Sequence, residues 1–324
     1  MRQAYVILNQ RSGSSGQDDG VAPRVIDRLR ASGFDASVLV VRSGAELHDA
    51  VRVAAEGDAE LIVAGGGDGT ICSVASALTG TGKVLGVLPL GTFNFFARRL
   101  NIPLELEPAL EVLVSGKDAS LHVGEVNGHV FLNNASIGLY PAVLQHREST
   151  YRQLGRSRPA AYLSTALVLL QPPAFLNLRL TADGVPLSRR TPLLFVGANA
   201  AQLETFAIPG AGCIDRGRLA AYITRPLGAL GLSRLAVRAF FRGLYGAQEL
   251  EVVCAHELHV EMRPRRIRVA IDGEIRVLAT PLTFRWRSQP LRVICGAPPE
   301  LPSESGTGPN ETASDQRDIR AGRP

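Results

Sequence analysis

The sequence has few cysteines, few lysines and no long hydrophobic run. Its four cysteines lie far apart in no metal-ligand spacing, so we expect reduced thiols in a cytoplasmic protein, with neither a zinc site nor a disulfide framework. No stretch is apolar for long enough to span a bilayer, and the first residues lack the charged head and apolar run of a signal peptide. The glycine-rich stretch is not a Walker loop, because no Gly-Lys-Ser/Thr follows it. No DNA- or RNA-binding signature is present either, which argues against a nucleic-acid partner. The cysteines are Cys72, Cys213, Cys254 and Cys295.

The charge of the chain is basic and comes almost entirely from arginine. The formal net charge is +5 and the sequence pI is about 9.3, a balance that suits nucleic acid, an anionic membrane surface or phosphorylated substrates. A predicted helix at Leu227–Tyr245 carries three arginines on one face, namely Arg234, Arg238 and Arg242. This helix is either a membrane-surface element or a core-packing helix with a solvated arginine stripe. We favour peripheral binding to the inner membrane face, with high-GC coding bias as the alternative explanation for the arginine.

A glycine-rich stretch organises the first part of the chain. Apolar Leu61–Ala64 is followed by three glycines, by Asp68-Gly69-Thr70 and by a helix-prone segment, which predicts a buried strand, a tight turn and a helix start. Glycines allow a ligand to approach the bare backbone, and helix-terminal N–H groups favour an anion. Asp68 would repel phosphate unless a cation or a hydrogen-bond network lies between them, so the pattern indicates a magnesium nucleotide rather than a bare anion. The alternative is a turn whose glycines serve the backbone only.

Strands and helices alternate around this loop. Such alternation predicts a parallel sheet with helices on both faces, and consecutive strand ends then emerge at one edge of the sheet. The turns after Leu8, Ala64 and Leu88 should therefore form one nucleotide cleft, to which Thr92 and Asn94 offer side-chain hydrogen bonds. The predicted elements are Ala4–Leu8, Val21–Ala31, Ala36–Val41, Ala45–Ala55, Glu60–Ala64, Thr70–Leu78 and Val84–Leu88.

From about Leu121 the pattern changes to short alternating strands, which predicts an antiparallel β region. Asn127-Gly128, Asp183-Gly184 and Asp272-Gly273 are tight-turn signals between them. We expect a nucleotide-binding domain at 1–120 and a β-rich lipid or substrate domain at 121–288. A strand at 289–297 should return to the first domain, and 298–324 should be a disordered tail.

The Asp272-Gly273-Glu274 turn admits two interpretations. On turn chemistry alone it is an ordinary hairpin. Phosphoryl transfer to an alcohol, however, requires a carboxylate that takes the hydroxyl proton, and the glycine loop of the first domain offers only Asp68. A carboxylate turn facing this loop across a cleft would supply the base, and the spacing does not decide which of Asp272 and Glu274 takes the proton.

Several of these motifs together resemble the diacylglycerol kinase catalytic-domain family, which includes sphingosine and ceramide kinases. The motifs are Asn9 to Gly13, Gly66 to Thr70, Leu88 to Asn94, Asn134 to Gly138 and Ile271 to Glu274. The resemblance implies an α/β nucleotide domain like those of NAD kinases and phosphofructokinases, an antiparallel β-sandwich domain, and ATP with Mg²⁺ held between them. It implies that Asp272 and Glu274 carry proton acceptance. The nucleotide contacts implied are Asn9, Ser12, Gly13, Ser43, Gly66, Gly67, Asp68, Gly69, Thr70, Gly91, Thr92 and Asn94.

The chain departs from the family pattern in its second domain. Where the family usually has Asp-Gly-x-Leu and a structural magnesium, this chain has Ile214-Asp215-Arg216-Gly217. The resemblance thus implies Asp68 and Asp215 as metal ligands, with Arg216 as the alternative source of positive charge at the second site.

The activity that these observations predict is ATP-dependent transfer of phosphate to a free hydroxyl of a diacylglycerol-like or sphingoid lipid. Two alternatives stay open: a soluble small-molecule kinase of the NAD-kinase type, and a lipid-sensing or partner-binding module that keeps the fold without catalysis. The sequence gives neither the acceptor lipid nor the oligomeric state.

Overall fold

A six-stranded mixed sheet lies at the centre of the first lobe. The computed structural model describes residues 2–10, 20–154, 171–244 and 247–296, and within them the strand order is β2-β1-β3-β4-β18-β5. Four strands are parallel, and β18 joins them by running parallel to β4 and antiparallel to β5. The elements are β1 (Arg2–Asn9), α1 (Val21–Ala31), β2 (Phe34–Val41), α2 (Gly44–Glu56), β3 (Leu61–Gly66), α3 (Asp68–Leu78), β4 (Val84–Pro89), α4 (Phe95–Arg99), α5 (Leu106–Ser115), β5 (Lys117–Leu121) and β18 (Leu291–Cys295).

Two antiparallel sheets form the second lobe. Their strand orders are β10-β9-β14-β17-β6-β7 and β13-β12-β11-β8-β15-β16, and side chains of both sheets, such as Leu178, Val196 and Phe284, share one hydrophobic core. The strands are β6 (Gly124–Val126), β7 (His129–Phe131), β8 (Asn134–Gly138), β9 (Leu176–Ala182), β10 (Val185–Thr191), β11 (Leu193–Gly197), β12 (Leu219–Thr224), β13 (Leu250–Ala255), β14 (Glu257–Glu261), β15 (Arg266–Ile271), β16 (Glu274–Ala279) and β17 (Leu282–Trp286). The helices are α6 (Leu139–Leu154), α7 (Ala200–Thr205), α8 (Ala211–Asp215) and α9 (Ala229–Arg242). The predicted fold class, an α/β lobe followed by a β-sandwich, is confirmed.

Three tight turns fall where the Asx-Gly pairs predict them. Their first residues, Asn127, Asp183 and Asp272, have φ between 46° and 47°, and each following glycine has φ between 83° and 89°. Positive φ at both central residues is the mark of the two-residue hairpin turn that matches the twist of the flanking strands. The sequence therefore fixes these turns locally, before any contact between the lobes is considered.

Strand β10 was not predicted. The segment Val185–Thr191 contains Pro186 and two arginines, and its apolar residues alternate poorly. It lies at the edge of its sheet, where a proline costs no ladder hydrogen bond and polar side chains face water. The apolar stretch Ala160–Leu170, whose composition predicts a helix, and the predicted tail at 298–324 both lie outside the described residues.

The cysteine prediction was wrong for two of the four residues. Cys213 on α8 and Cys254 on β13 form a disulfide across a sequence separation of 41, whereas Cys72 and Cys295 are free. The pairing arises because β13 lies beside β12, with Cys254 opposite Ala220, and α8 packs on β12. Sequence spacing carries no trace of such a non-local contact. Among the described helices, none has both the length and the apolar character needed to cross a membrane.

Candidate active site

Two glycine-containing loops meet at the carboxyl edge of the first sheet. The side-chain amide of Asn9, at the end of β1, donates a hydrogen bond to the Thr70 hydroxyl at 2.9 Å. A Cβ atom on Gly91 would collide with Cα of Gly67, so the loops after β3 and β4 touch backbone to backbone. This contact requires glycine and leaves the backbone amides of both loops at one surface.

Asp68 ties the first loop to the second. It opens α3, and its Oδ1 accepts a hydrogen bond from the backbone N–H of Phe96 on α4 at 3.2 Å. Burial raises the pKa of Asp68, and backbone N–H donors around Phe96 act in the opposite direction. Its carboxylate oxygens are ligands of the type that Mg²⁺ prefers.

The other predicted nucleotide contacts have different surroundings. Asn94 is buried with φ +53°, and its amide bonds to Gly91 and Pro89 within the loop; it shapes the loop. Thr92 is exposed. Ser43 caps α2, accepting from the backbone N–H of Glu46 at 3.2 Å, which accounts for this serine as a helix cap.

The remaining glycines of the first loop differ in exposure. Gly66 is buried beneath Thr70, Gly67 precedes α3, and Gly69 is exposed with no atom within 4 Å of a Cβ placed on it. Gly69 is therefore open to a ligand. Ser12 and Gly13 lie outside the described residues.

The turn that carries Asp272 is fastened to the strand connection before β8. Its Oδ2 accepts from the backbone N–H of Leu132 at 2.7 Å, and its Oδ1 accepts from Asn133 at 2.8 Å and from Asn134 at 3.0 Å. Burial raises the pKa of Asp272, and these three backbone donors counteract it. The carboxylate is thus held mainly by three backbone donors of its own lobe.

Glu274, two residues further on, has the opposite environment. Its side chain is 58% exposed, with one oxygen 3.6 Å from a guanidinium nitrogen of Arg276. The turn therefore presents one held carboxylate and one accessible carboxylate, a distinction that the sequence spacing could not make.

A narrow cleft brings the two lobes together at these residues. A cavity of about 60 Å³ is lined by Gly69, Cys72 and Ser73 of the first lobe and by Asp272 and Glu274 of the second. The glycine loop and the carboxylate turn thus face each other across one gap. This arrangement can hold a nucleotide on one wall and accept a proton on the other.

Sequence reasoning missed the residues that join the walls. The Cys72 thiol is packed against Asp272; burial and the nearby carboxylate raise its pKa well above the usual range. The Asn199 amide donates to the Phe95 carbonyl at 3.1 Å and to Asn133 Oδ1 at 2.7 Å. The position of Cys72, one turn of α3 after Asp68, was the one available signal, since residues four apart share a helix face.

The magnesium ligands implied by the resemblance fit unequally. Asp68 fits a nucleotide-bound Mg²⁺, because this ion is commonly held by one or two carboxylates with the substrate's phosphates completing the shell. Asp215 is exposed at the end of α8, and the described part of the chain contains no group of three potential metal-ligating residues. A structural magnesium at Asp215 does not fit this arrangement, and the Cys213–Cys254 disulfide lies two residues away.

Comparisons with known proteins agree with the geometry. The profile of the diacylglycerol kinase catalytic domain matches residues 3–126. Proteins named diacylglycerol kinase from Bacillus subtilis (strain 168) and Staphylococcus carnosus (strain TM300) are 34% identical over 141 residues and 26% identical over 185 residues. These matches cover 43% and 56% of this chain, but only 46% and 60% of the relatives' length.

Solved structures extend the likeness to the whole fold. A Bacillus anthracis str. Sterne diacylglycerol kinase structure covers 91% of this chain and 97% of its own, with a TM-score of 0.66 and 21% identity. An Archaeoglobus fulgidus NAD kinase in complex with ATP covers 90% of this chain and 93% of its own, with a TM-score of 0.52 and 15% identity. At such identities the likeness shows the fold. Residues 3–126, which contain both glycine loops, are similar to the diacylglycerol kinase catalytic domain.

Proposed function

We propose that the protein transfers the γ-phosphate of ATP to a free hydroxyl of a diacylglycerol-like or sphingoid lipid. The observation that carries the proposal is the cleft in which Gly69 of the glycine loop faces the turn that carries Asp272 and Glu274. Phosphoryl transfer depends mainly on positioning and charge stabilisation. The names of the relatives, diacylglycerol kinases, support a lipid acceptor.

The chain's own residues divide the work. Backbone amides of the two loops bind the phosphates, with the N-terminus of α3 supplying favourable dipoles. Mg²⁺, held with Asp68, would neutralise charge on the phosphates. Asp272 fixes the turn, and Glu274, whose carboxylate is accessible, accepts the proton of the lipid hydroxyl.

An aromatic cluster joins the two lobes beside the second glycine loop, with Phe93 and Phe206 exposed and Phe95 buried. Phe93 is 57% exposed and its ring stacks on Phe95 at 5.3 Å between centroids, while Phe206 of the second lobe lies 5.4 Å from Phe95. The exposed rings of Phe93 and Phe206, whose centroids lie 6.5 Å apart, form an apolar patch that spans the two lobes. Such a patch suits the hydrocarbon part of a lipid acceptor.

Helix α9 supports action at a membrane surface. Among its described side chains, the exposed ones are Leu230, Arg234 and Val237, which fall on one face at helical spacing. Apolar side chains beside an exposed arginine suit an interface with anionic lipid headgroups. Arg238, by contrast, is half-buried and has a partner, so only part of the expected arginine stripe faces water. The side chain of Arg242 lies outside the described residues.

A lipid panel tests the proposal. Purified protein is given labelled ATP and mixed micelles that contain diacylglycerol, monoacylglycerol, ceramide or a sphingoid base. We expect label in one class, with a loss of about 100-fold or more in Glu274→Gln. Glu257→Gln, an exposed acid on β14, is the matched control and should keep full activity. No labelled lipid from any class would refute the proposal.

A soluble acceptor is the second candidate, because the NAD kinase fold is similar. Labelling of NAD without micelles would favour it. ATP binding without transfer, unchanged in Asp272→Ala, would instead favour a non-catalytic lipid-sensing or partner-binding module.

A further inference from the structure

A second, larger cavity lies in the β-sandwich, away from the cleft. Its volume is about 570 Å³, and four of the residues lining it are arginines: Arg179, Arg189, Arg190 and Arg263. Cavities of this size hold small ligands. The cavity lies where the start of β9 meets the ends of β10 and β14. This is the sheet edge opposite β7. Since β7 packs on α3, about four strand spacings, or roughly 20 Å, separate it from the nucleotide wall.

Strand register places two of the arginines on the solvent face. Leu178 and Leu180 of β9 point into the core, so Arg179 between them points outward. Arg179 is paired with Ser188, and Asn177 is paired with Arg190; cross-strand partners share a face. The arginines therefore stand beside a hydroxyl and an amide on one rigid surface.

Three of the four guanidinium groups lack an ion pair within the described residues. No carboxylate in the described part of the chain lies within ion-pair distance of Arg179, Arg190 or Arg263. Glu261, the one acid among the described residues that line the cavity, lies opposite Arg179 in the register of β14 and β9. It makes no ion pair with Arg179, and one of its oxygens lies 3.9 Å from His259 Nε2. Three arginines are thus left with one opposing carboxylate.

The fourth arginine, Arg189, has a structural role because it is paired with a carboxylate. Arg189 makes a bidentate pair with Glu251, at 2.7 and 2.8 Å, and this pair joins β10 to β13. Arg190, by contrast, rests its guanidinium over the Phe175 ring at 4.7 Å. That stacking orients the group without using its hydrogen-bond donors.

We infer that this cavity, lined by Arg179, Arg190 and Arg263, is a binding site for a phosphate-bearing anion. Guanidinium forks match phosphate oxygens bidentately, and Ser188 and Asn177 add neutral donors. The ligand is either a phosphomonoester lipid headgroup or a soluble phosphomonoester, because both offer the same dianionic group. The site is separate from the kinase cleft, so the inference does not depend on the proposed activity.

Binding assays with a charge-matched control test the inference. The test variant is Arg179→Gln with Arg190→Gln. The control is Arg30→Gln with Arg52→Gln, two exposed arginines of the first lobe, so both proteins lose two positive charges. Inorganic phosphate and glycerol 3-phosphate are titrated by calorimetry, and vesicles of phosphatidylcholine with or without phosphatidic acid are sedimented. Thermal melting and ATP affinity show that both variants are folded.

We expect the test variant to lose about 10-fold to 100-fold in affinity for the phosphate probe, as charge-assisted hydrogen bonds require, while the control loses little. Binding of the soluble probes identifies a free phosphate compound, and binding of phosphatidic acid vesicles alone identifies a lipid headgroup. Arg263→Gln should give a smaller loss in the same direction. Absence of binding to every probe, or equal losses in test and control variants, would overturn the inference.

Discussion

The backbone N–H of Phe96 donates a hydrogen bond to Oδ1 of Asp68 at 3.2 Å. This bond links the glycine loop after β3 to the helix after the second loop, so that a carboxylate is held between two sets of backbone amides. Asp68 thus has a structural task that is independent of any metal ion. Its ionisation should be visible in the stability of the protein.

Asp68→Asn should change the pH dependence of stability. Because burial raises the pKa of Asp68 above its usual 3.8, the carboxyl contributes stability that is fully present below the unfolded pKa and is lost as pH rises through the folded pKa. Asparagine does not ionise, so the variant does not lose stability in this way as the pH rises. Urea unfolding between about pH 4 and pH 7 should therefore show the variant gaining on the wild type as pH rises. A difference that is constant with pH, or that changes in the opposite sense, would contradict this.

The two carboxylates of the turn should respond differently to isosteric substitution. Asp272→Asn replaces one acceptor oxygen by an NH₂ group that faces backbone donors, so the free energy of unfolding should fall by about 1–3 kcal/mol. Glu274→Gln should leave stability within about 0.5 kcal/mol, because its side chain is exposed. Denaturant unfolding of both variants, beside the lipid kinase assay, separates a positioning residue from a catalytic one. Equal destabilisation by both variants would show that this division is wrong.

Gly69→Ala should separate nucleotide affinity from folding. A Cβ atom at this position meets no protein atom within 4 Å, so the melting temperature should be nearly unchanged. A nucleotide that approaches the backbone there would meet the new methyl group, and ATP affinity should fall about 10-fold or more. Gly44→Ala, also free of contacts, is the control and should bind ATP normally. Unchanged ATP binding by Gly69→Ala would place the nucleotide elsewhere.

The Cys72 thiol should be inert in the native protein. Burial and the Asp272 carboxylate raise its pKa well above the usual range, which leaves little thiolate to react near neutral pH. Alkylation by iodoacetamide, followed site by site by mass spectrometry, should label Cys72 slowly in the native protein and rapidly in denaturant. Fast labelling of the native protein would mean that the cleft is open at this point.

The Cys213–Cys254 bond should appear in a thiol count. Denatured protein kept free of reductant should titrate two thiols, those of Cys72 and Cys295, and reduction should raise the number to four. Removing the bond with Cys213→Ser and Cys254→Ser should lower the free energy of unfolding by about 2–4 kcal/mol, since it closes a long loop. Four thiols without reduction would show that the pair is not bonded.

Local sequence signals located much of the fold. Helix α1 has the bounds that periodicity gives it, and strand β18 lies within the predicted 289–297. The Asx-Gly pairs locate three turns because only a few residues tolerate positive φ. Strand β10 was not predicted, because an edge strand does not need alternating apolar residues.

For the candidate site too, the sequence located residues but did not give the role of each. Its glycines and carboxylates could be found from the sequence. Glycine allows a ligand to approach the backbone, and a carboxylate can accept a proton. Their individual roles could not. Asn94 and Ser43 are occupied in holding a loop and a helix end, and a residue's competing hydrogen bonds are unknown until its neighbours are placed.

The sequence by itself determined the alternation of strands and helices, the tight turns and the two phosphate-type loops, since each depends on residues close together in the chain. Only the tertiary structure decided that Glu274 is accessible while Asp272 is held, that Cys72 lies between the lobes, that Cys213 meets Cys254, and that arginines of β9 and β10 share one cavity. These are contacts between residues far apart in sequence. Which of them form depends on how the sheets pack and on which polar groups burial leaves to be satisfied.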